Sequence, residues 1–77
     1  VQAINYFKSI LKEDISSEYR KKALFMIAYI YNNNLNMYTD AINYYNNFLN
    51  DYKNDELVSS VEYELDQIKT IVAKVKD

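Results

Sequence analysis

At 77 residues and a net charge of −2, with 49% apolar and 26% charged residues, the chain has the composition of one small folded domain and not of a disordered one. It has no Cys and no His, which removes disulfide staples and the usual nucleophile–base pairs and leaves a small core that gains from neighbouring units. The only basic cluster, Arg20-Lys21-Lys22, offers no extended positive face for a phosphate backbone, so no nucleic-acid partner is expected.

Ordinary usage would place roughly five Gly and four Pro in a chain of this size, and it has neither. Only long helices with polar turns tolerate that, so the expected class is all-α. Helix one spans about Gln2 to Lys12, with Ala3, Ile4, Phe7, Ile10 and Leu11 on one face at steps of three and four. Ser16 or Ser17 can cap the free amides of helix two, and Glu18 in its first turn suits the helix dipole. Helix two runs to about Asn33, and its centre from Ala23 to Tyr31 is apolar all round, which requires cover on more than one side. That run of nine residues is about half of what a bilayer span needs, so no direct membrane span is expected.

Asn32-Asn33-Asn34-Leu35-Asn36 is the next turn, where Asn stands in for Gly because its short amide tolerates left-handed backbone. Helix three spans about Tyr38 to Tyr52, with Ala41, Ile42, Tyr45, Phe48, Leu49 and Tyr52 inward and Asn43, Asn46, Asn47 and Asn50 outward. After Lys53 and Asn54, the acidic pair Asp55-Glu56 opens helix four, which runs to Lys76. Its narrow seam is Val58, Val61, Leu65, Ile68, Val72 and Val75.

These helices are copies of one unit. Ala3-Ile4-Asn5-Tyr6-Phe7 returns 38 residues later as Ala41-Ile42-Asn43-Tyr44-Tyr45, and the same offset pairs Leu11 with Leu49, Glu18 with Glu56 and Ile30 with Ile68. Copied helix pairs normally stack into a solenoid. At that offset, Leu24, Ala28 and Tyr31 become Glu62, Asp66 and Lys69, so one face of helix four has turned polar, as the wet outer face of a terminal cap must. The true C-terminus is accordingly expected near Asp77. At the other end the chain opens on Val1 without the charged and apolar regions of a signal peptide, and reads as an excerpt of a longer protein.

Helix two with helix three resembles a tetratricopeptide repeat. Leu24, Ile27-Ala28 and Tyr31 fall where that family has a large residue, a Leu-Gly step and an aromatic, and Asn36 replaces the turn Gly. Tyr38, Ala41, Tyr45 and Leu49 then fall where it has an aromatic, a small residue, a second aromatic and a Leu. Phe48 in place of a small residue, Lys53 in place of Pro and a period of 38 depart from the pattern. Phe48-Leu49, Tyr52 and Asp55-Glu56-Leu57 look like the subgroup of bacterial cell-envelope proteins, among them outer-membrane assembly lipoproteins and periplasmic coordinators. The resemblance implies an α-solenoid of about one and a half repeats plus a long capping helix. Residues 2–13 would be the second helix of a preceding repeat, 17–52 a full helix-turn-helix repeat and 55–76 the cap.

It also implies a non-catalytic scaffold for a protein or peptide partner, in the periplasm or held at the outer membrane by an upstream anchor, with the cytoplasm as the alternative. In such repeats the first helix of each pair lines the concave face, which here would present Lys22, Phe25, Met26, Tyr29, Asn32 and Asn33. Phe25 and Tyr29 would supply apolar area, Asn32 and Asn33 would bond a peptide backbone and Lys22 would meet a carboxylate. The plainer alternative is that these aromatics pack on the next repeat and the Asn residues only serve the turn.

Other constellations are weaker. Arg20-Lys21-Lys22 reads as a solvated face. Glu62, Glu64 and Asp66 lack a cation-binding loop, so no metal and no cofactor are expected. Asp51 and Asp55 flank a turn, where exposure would leave an ordinary pKa, and no enzyme is expected. An alternative to the scaffold is a segment that builds a homo-oligomer, the seam of 55–76 packing on a second copy.

Overall fold

The computed structural model describes residues 2–13 and 16–76, the last two of these by backbone alone. The fold is all-α: α1 (Gln2–Lys12), α2 (Ser17–Asn33), α3 (Tyr38–Asp51) and α4 (Val58–Lys76). Each helix packs chiefly on those before and after it in sequence, and the Cα extents are 44 × 29 × 14 Å, so the helices form an open array and not a closed bundle. Among the described residues no helix is long and apolar enough to cross a membrane.

Local chemistry sets the boundaries. Ser16 is the N-cap of α2, accepting from the Tyr19 amide at 3.5 Å, and Glu18 lies in the first turn. At the far end Asn36 takes φ 54°, the left-handed value that a short amide side chain tolerates best after Gly. Its side chain accepts from the Tyr38 hydroxyl at 3.2 Å, and the Met37 amide donates to the Tyr31 carbonyl at 2.8 Å. Helix α4 begins at Val58, two residues after Glu56, because Asp55 Oδ1 takes the Leu57 amide at 2.9 Å and shapes 55–57 into a turn instead of a first helical turn.

Helices α2 and α3 run antiparallel, as successive pairs show: Tyr31 stacks on Tyr44 at 5.8 Å, Phe25 meets Phe48 edge-on at 6.3 Å, and the Tyr52 hydroxyl donates to the Ser17 carbonyl. One continuous core results. It joins Ile4 of α1, Leu24, Ile27, Ala28 and Tyr31 of α2, Ala41, Tyr45 and Phe48 of α3, and Val61, Leu65 and Ile68 of α4. As the all-apolar centre of α2 requires, that helix is covered by more than one neighbour, α1 and α3. Asn43, Asn46, Asn47 and Asn50 are exposed on the outer face of α3.

The seam of α4 is occupied within the chain. Val61 and Ile68 are fully buried and Leu65 nearly so, with Val58 and Val72 packed at the margins. Self-association through this seam would have to open that core. Glu62, Asp66 and Lys69, on the side that departs from α2, are exposed. Val75 and Asp77, the last step of the seam and the expected chain end, fall outside the described side chains. Ala3 departs from its expected inward place: it is exposed, whereas its counterpart Ala41 is wholly buried. The cause is cover, since α3 packs on both α2 and α4 while α1 packs chiefly on α2 and meets α3 through Lys8 over the Tyr44 ring.

Lys21 also departs from expectation. Arg20 and Lys22 are exposed, but Lys21 is buried and donates to Asp55 Oδ2 at 2.7 Å and Glu18 Oε1 at 2.9 Å, tying the start of α2 to the turn before α4. The hydrogen bond to Asp55, then that to Glu18, raises the Lys21 pKa above its usual 10.5. The Lys21 ammonium, then the Leu57 amide, holds the Asp55 carboxyl below its usual 3.8, so the ordinary pKa expected there does not hold.

The pH window follows from these signs. Depressed Asp55 contributes stability that is present above 3.8 and lost as pH falls through its folded value, while raised Lys21 contributes stability present below 10.5 and lost as pH rises through its own. Asp55→Asn keeps an oxygen for the Leu57 amide and removes the charge. It is expected to lower stability at neutral pH and to flatten the loss below pH 3.8; urea midpoints measured down the acid limb check this, and parallel limbs in parent and variant would refute it.

Candidate functional site: a cleft between the second and fourth helices

Helices α2 and α4 lie on the same side of α3, and a cleft opens between them. One part, about 370 Å³, is bounded by Phe25 and Tyr29 of α2 and by Ser59, Ser60, Tyr63 and Glu64 of α4. The next part, about 340 Å³, shares Tyr63 and Glu64 and continues along Asn32, Asn33, Gln67 and Ile71 to Asn36 and Tyr38. The two parts share Tyr63 and Glu64, so Glu64 stands on the wall of both.

The aromatic wall is built on α2. Phe25 stacks against Tyr29 with ring centroids 6.3 Å apart and rests edge-on against the buried Tyr45 ring at 6.0 Å, so its position is set by the core of α3. Tyr29 remains 41% exposed, and Tyr63 across the cleft 63%, more ring surface than a core position would leave.

Glu64 is half-buried, and three donors converge on its Oε1: Asn32 Nδ2 at 2.9 Å, Asn33 Nδ2 at 3.1 Å and the Tyr45 hydroxyl at 3.3 Å. Helices α2 and α3 therefore both hold the carboxylate, fixing its place without a long side chain searching for it. Burial, then the negative charge of Glu64, pushes the Tyr45 hydroxyl pKa well above its usual 10.0, so it remains a proton donor at any ordinary pH.

The residues expected on the concave face separate into three groups. Phe25 and Tyr29 line the cleft as apolar area. Asn32 and Asn33 also line it, but their side-chain amides donate to Glu64, and Asn33 donates to the Tyr29 carbonyl at 3.2 Å as well. Asn32 is buried, so its amide serves the protein's own network before any peptide backbone. Lys22 and Met26 are exposed on α2 and lie outside both parts of the cleft. The α4 wall, Ser59, Ser60, Tyr63, Glu64, Gln67 and Ile71, was not anticipated; stepping from Ser60 by three and four to Tyr63, Glu64, Gln67 and Ile71 shows it as one helical stripe beside the seam.

The acidic residues of α4 diverge. Glu64 faces α2, whereas Glu62 and Asp66 lie with Asn46, Leu49 and Lys69 on the other side. Among the described residues no group of three or more carboxylates is placed to hold a metal ion. No protein-family model, curated protein or solved structure matches the chain significantly.

Proposed function

We propose that this chain is a non-catalytic protein-interaction scaffold of tetratricopeptide-like design whose α2–α4 cleft receives an extended peptide segment of a partner. The observation that carries the reading is the cleft itself, with the exposed rings of Tyr29 and Tyr63 on opposite walls and a core-anchored Phe25 between them and α3. Aromatic side chains on a rigid frame bury large area at little entropic cost, which is how a preformed groove holds a peptide. The repeat offset, the open array of helices and the polar side of α4 support the solenoid part of the reading. On the residues resembling the envelope subgroup we place the scaffold in bacterial envelope assembly, in the periplasm or at the outer membrane through an anchor elsewhere in the protein, with a cytoplasmic scaffold as the alternative.

Selection from a random peptide display library on the 77-residue chain tests the reading. Enriched peptides are expected to lose binding to a Tyr29→Ala, Tyr63→Ala double variant. Exposed side chains away from special backbone sites seldom affect folding by more than about 0.5 kcal/mol, so circular dichroism should show the double variant folded. No enriched peptide, or enriched peptides indifferent to both substitutions, would contradict the proposal.

A further inference from the structure

Every residue lining the cleft is neutral except Glu64. Its three donors, the Asn32 and Asn33 amides and the Tyr45 hydroxyl, are neutral too and all reach Oε1; none of them reaches Oε2. Among the described residues the close ion pairs are those of Lys21 with Glu18 and Asp55, so Glu64 has no cation within 4.0 Å. A carboxylate fixed in place, half removed from water and without a counter-charge is a site of unspent electrostatic potential. Beside it stand the exposed π-faces of Tyr29 and Tyr63, which attract cations through their quadrupole.

We infer that the cleft selects a basic side chain, arginine foremost, carried on an extended peptide segment, with Glu64 as its anion and the rings of Tyr29 and Tyr63 as its walls. The inference rests on the scaffold reading and names the chemistry of the partner. A guanidinium is planar and weakly hydrated, so it can lie against a tyrosine ring while an edge N–H donates to Oε2. An acidic segment would bring like charge against Glu64, and a purely apolar one would strip water from the carboxylate and return nothing. The position also explains why the donors to Glu64 are amides and a phenol: they hold the carboxylate still without neutralising it. A lysine or arginine in any of those three places would have closed the site.

Four acetylated and amidated peptides, identical but for a central arginine, citrulline, norleucine or glutamate, provide the test. The arginine peptide is expected to bind the 77-residue chain at least about tenfold more tightly than the citrulline peptide at about 50 mM salt, with the gap shrinking at about 500 mM. Glu64→Gln keeps an oxygen for the three donors and removes the charge; it is expected to erase the gap while the circular dichroism spectrum is unchanged. Ser60→Lys leaves the hydrogen bonds to Glu64 intact and puts a competing cation in the cleft, and should weaken the arginine peptide alone. Equal binding of the arginine and citrulline peptides, or a gap that survives Glu64→Gln, overturns the inference. Preferential binding of the norleucine or glutamate peptide overturns it as well but leaves a peptide-binding scaffold standing. If none of the four binds, the inference also fails, and the display selection decides the scaffold reading separately.

Discussion

Phe48→Ala is expected to destabilise the chain by about 3 to 5 kcal/mol, the cost of emptying a large buried aromatic site that cannot collapse freely. The ring is wholly buried. It meets Phe25 of α2 edge-on at 6.3 Å and Tyr52 at 5.3 Å, and belongs to the core that includes the α4 seam, so its removal loosens three helices together. The loss should also reach the cleft, because Phe25 is held by the rings of α3. Urea unfolding followed by circular dichroism measures the change, with Tyr19→Ala, at a 66% exposed ring, as the neutral control. A cost for Phe48→Ala as small as that of the control would mean that α3 is not the buried support on which both α2 and α4 pack.

Ile68→Ala is expected to cost about 2 to 5 kcal/mol. Ile68 is fully buried, like Val61 two turns before it in the same seam, and the cluster they join is made within one chain. The cost alone does not tell packing on α3 from packing on a second copy, since either would bury the side chain. Protein concentration does: an intrachain seam gives a urea midpoint independent of concentration, and a dimer seam gives one that rises with it. The expected result is a large cost with a concentration-independent midpoint in both parent and variant. A midpoint that climbs with concentration would instead support self-association through 55–76.

The helices were legible in the sequence because their signals are local. Apolar spacing placed α1, α2 and α3 to within a residue of their observed ends, and the need for left-handed backbone in a chain without Gly singled out the Asn-rich turn where Asn36 has φ 54°. The same locality explains the errors. The start of α4 depends on a carboxylate that caps Leu57 while binding Lys21, a residue 34 positions earlier, and no window of sequence contains both partners. Ala3 and Ala41 share a repeat position yet differ in exposure because their neighbours differ, which a repeat offset does not record.

The site divides in the same way. Phe25 and Tyr29 were recognisable as a stripe on α2, but the tasks of Asn32 and Asn33 depend on Glu64, 32 and 31 residues away. Glu64 itself looked like one member of an acidic group with Glu62 and Asp66; only packing against α2 turns it away from them. The repeat offset held the relevant hint. It aligns Met26 with Glu64 and Phe25 with Tyr63, so the unit that supplies the aromatic wall on α2 supplies, one copy later, the ring and the carboxylate that face it.

The most direct test of a peptide-binding cleft is site-resolved: amide chemical-shift mapping of the 77-residue chain while peptides from the display selection are titrated in. The expected shifts concentrate at Phe25, Tyr29, Ser60, Tyr63 and Glu64 and saturate together, leaving Asn43, Asn46, Asn47 and Asn50 on the outer face of α3 unchanged. Saturating shifts on that outer face, with the cleft residues silent, would contradict the cleft as the binding site.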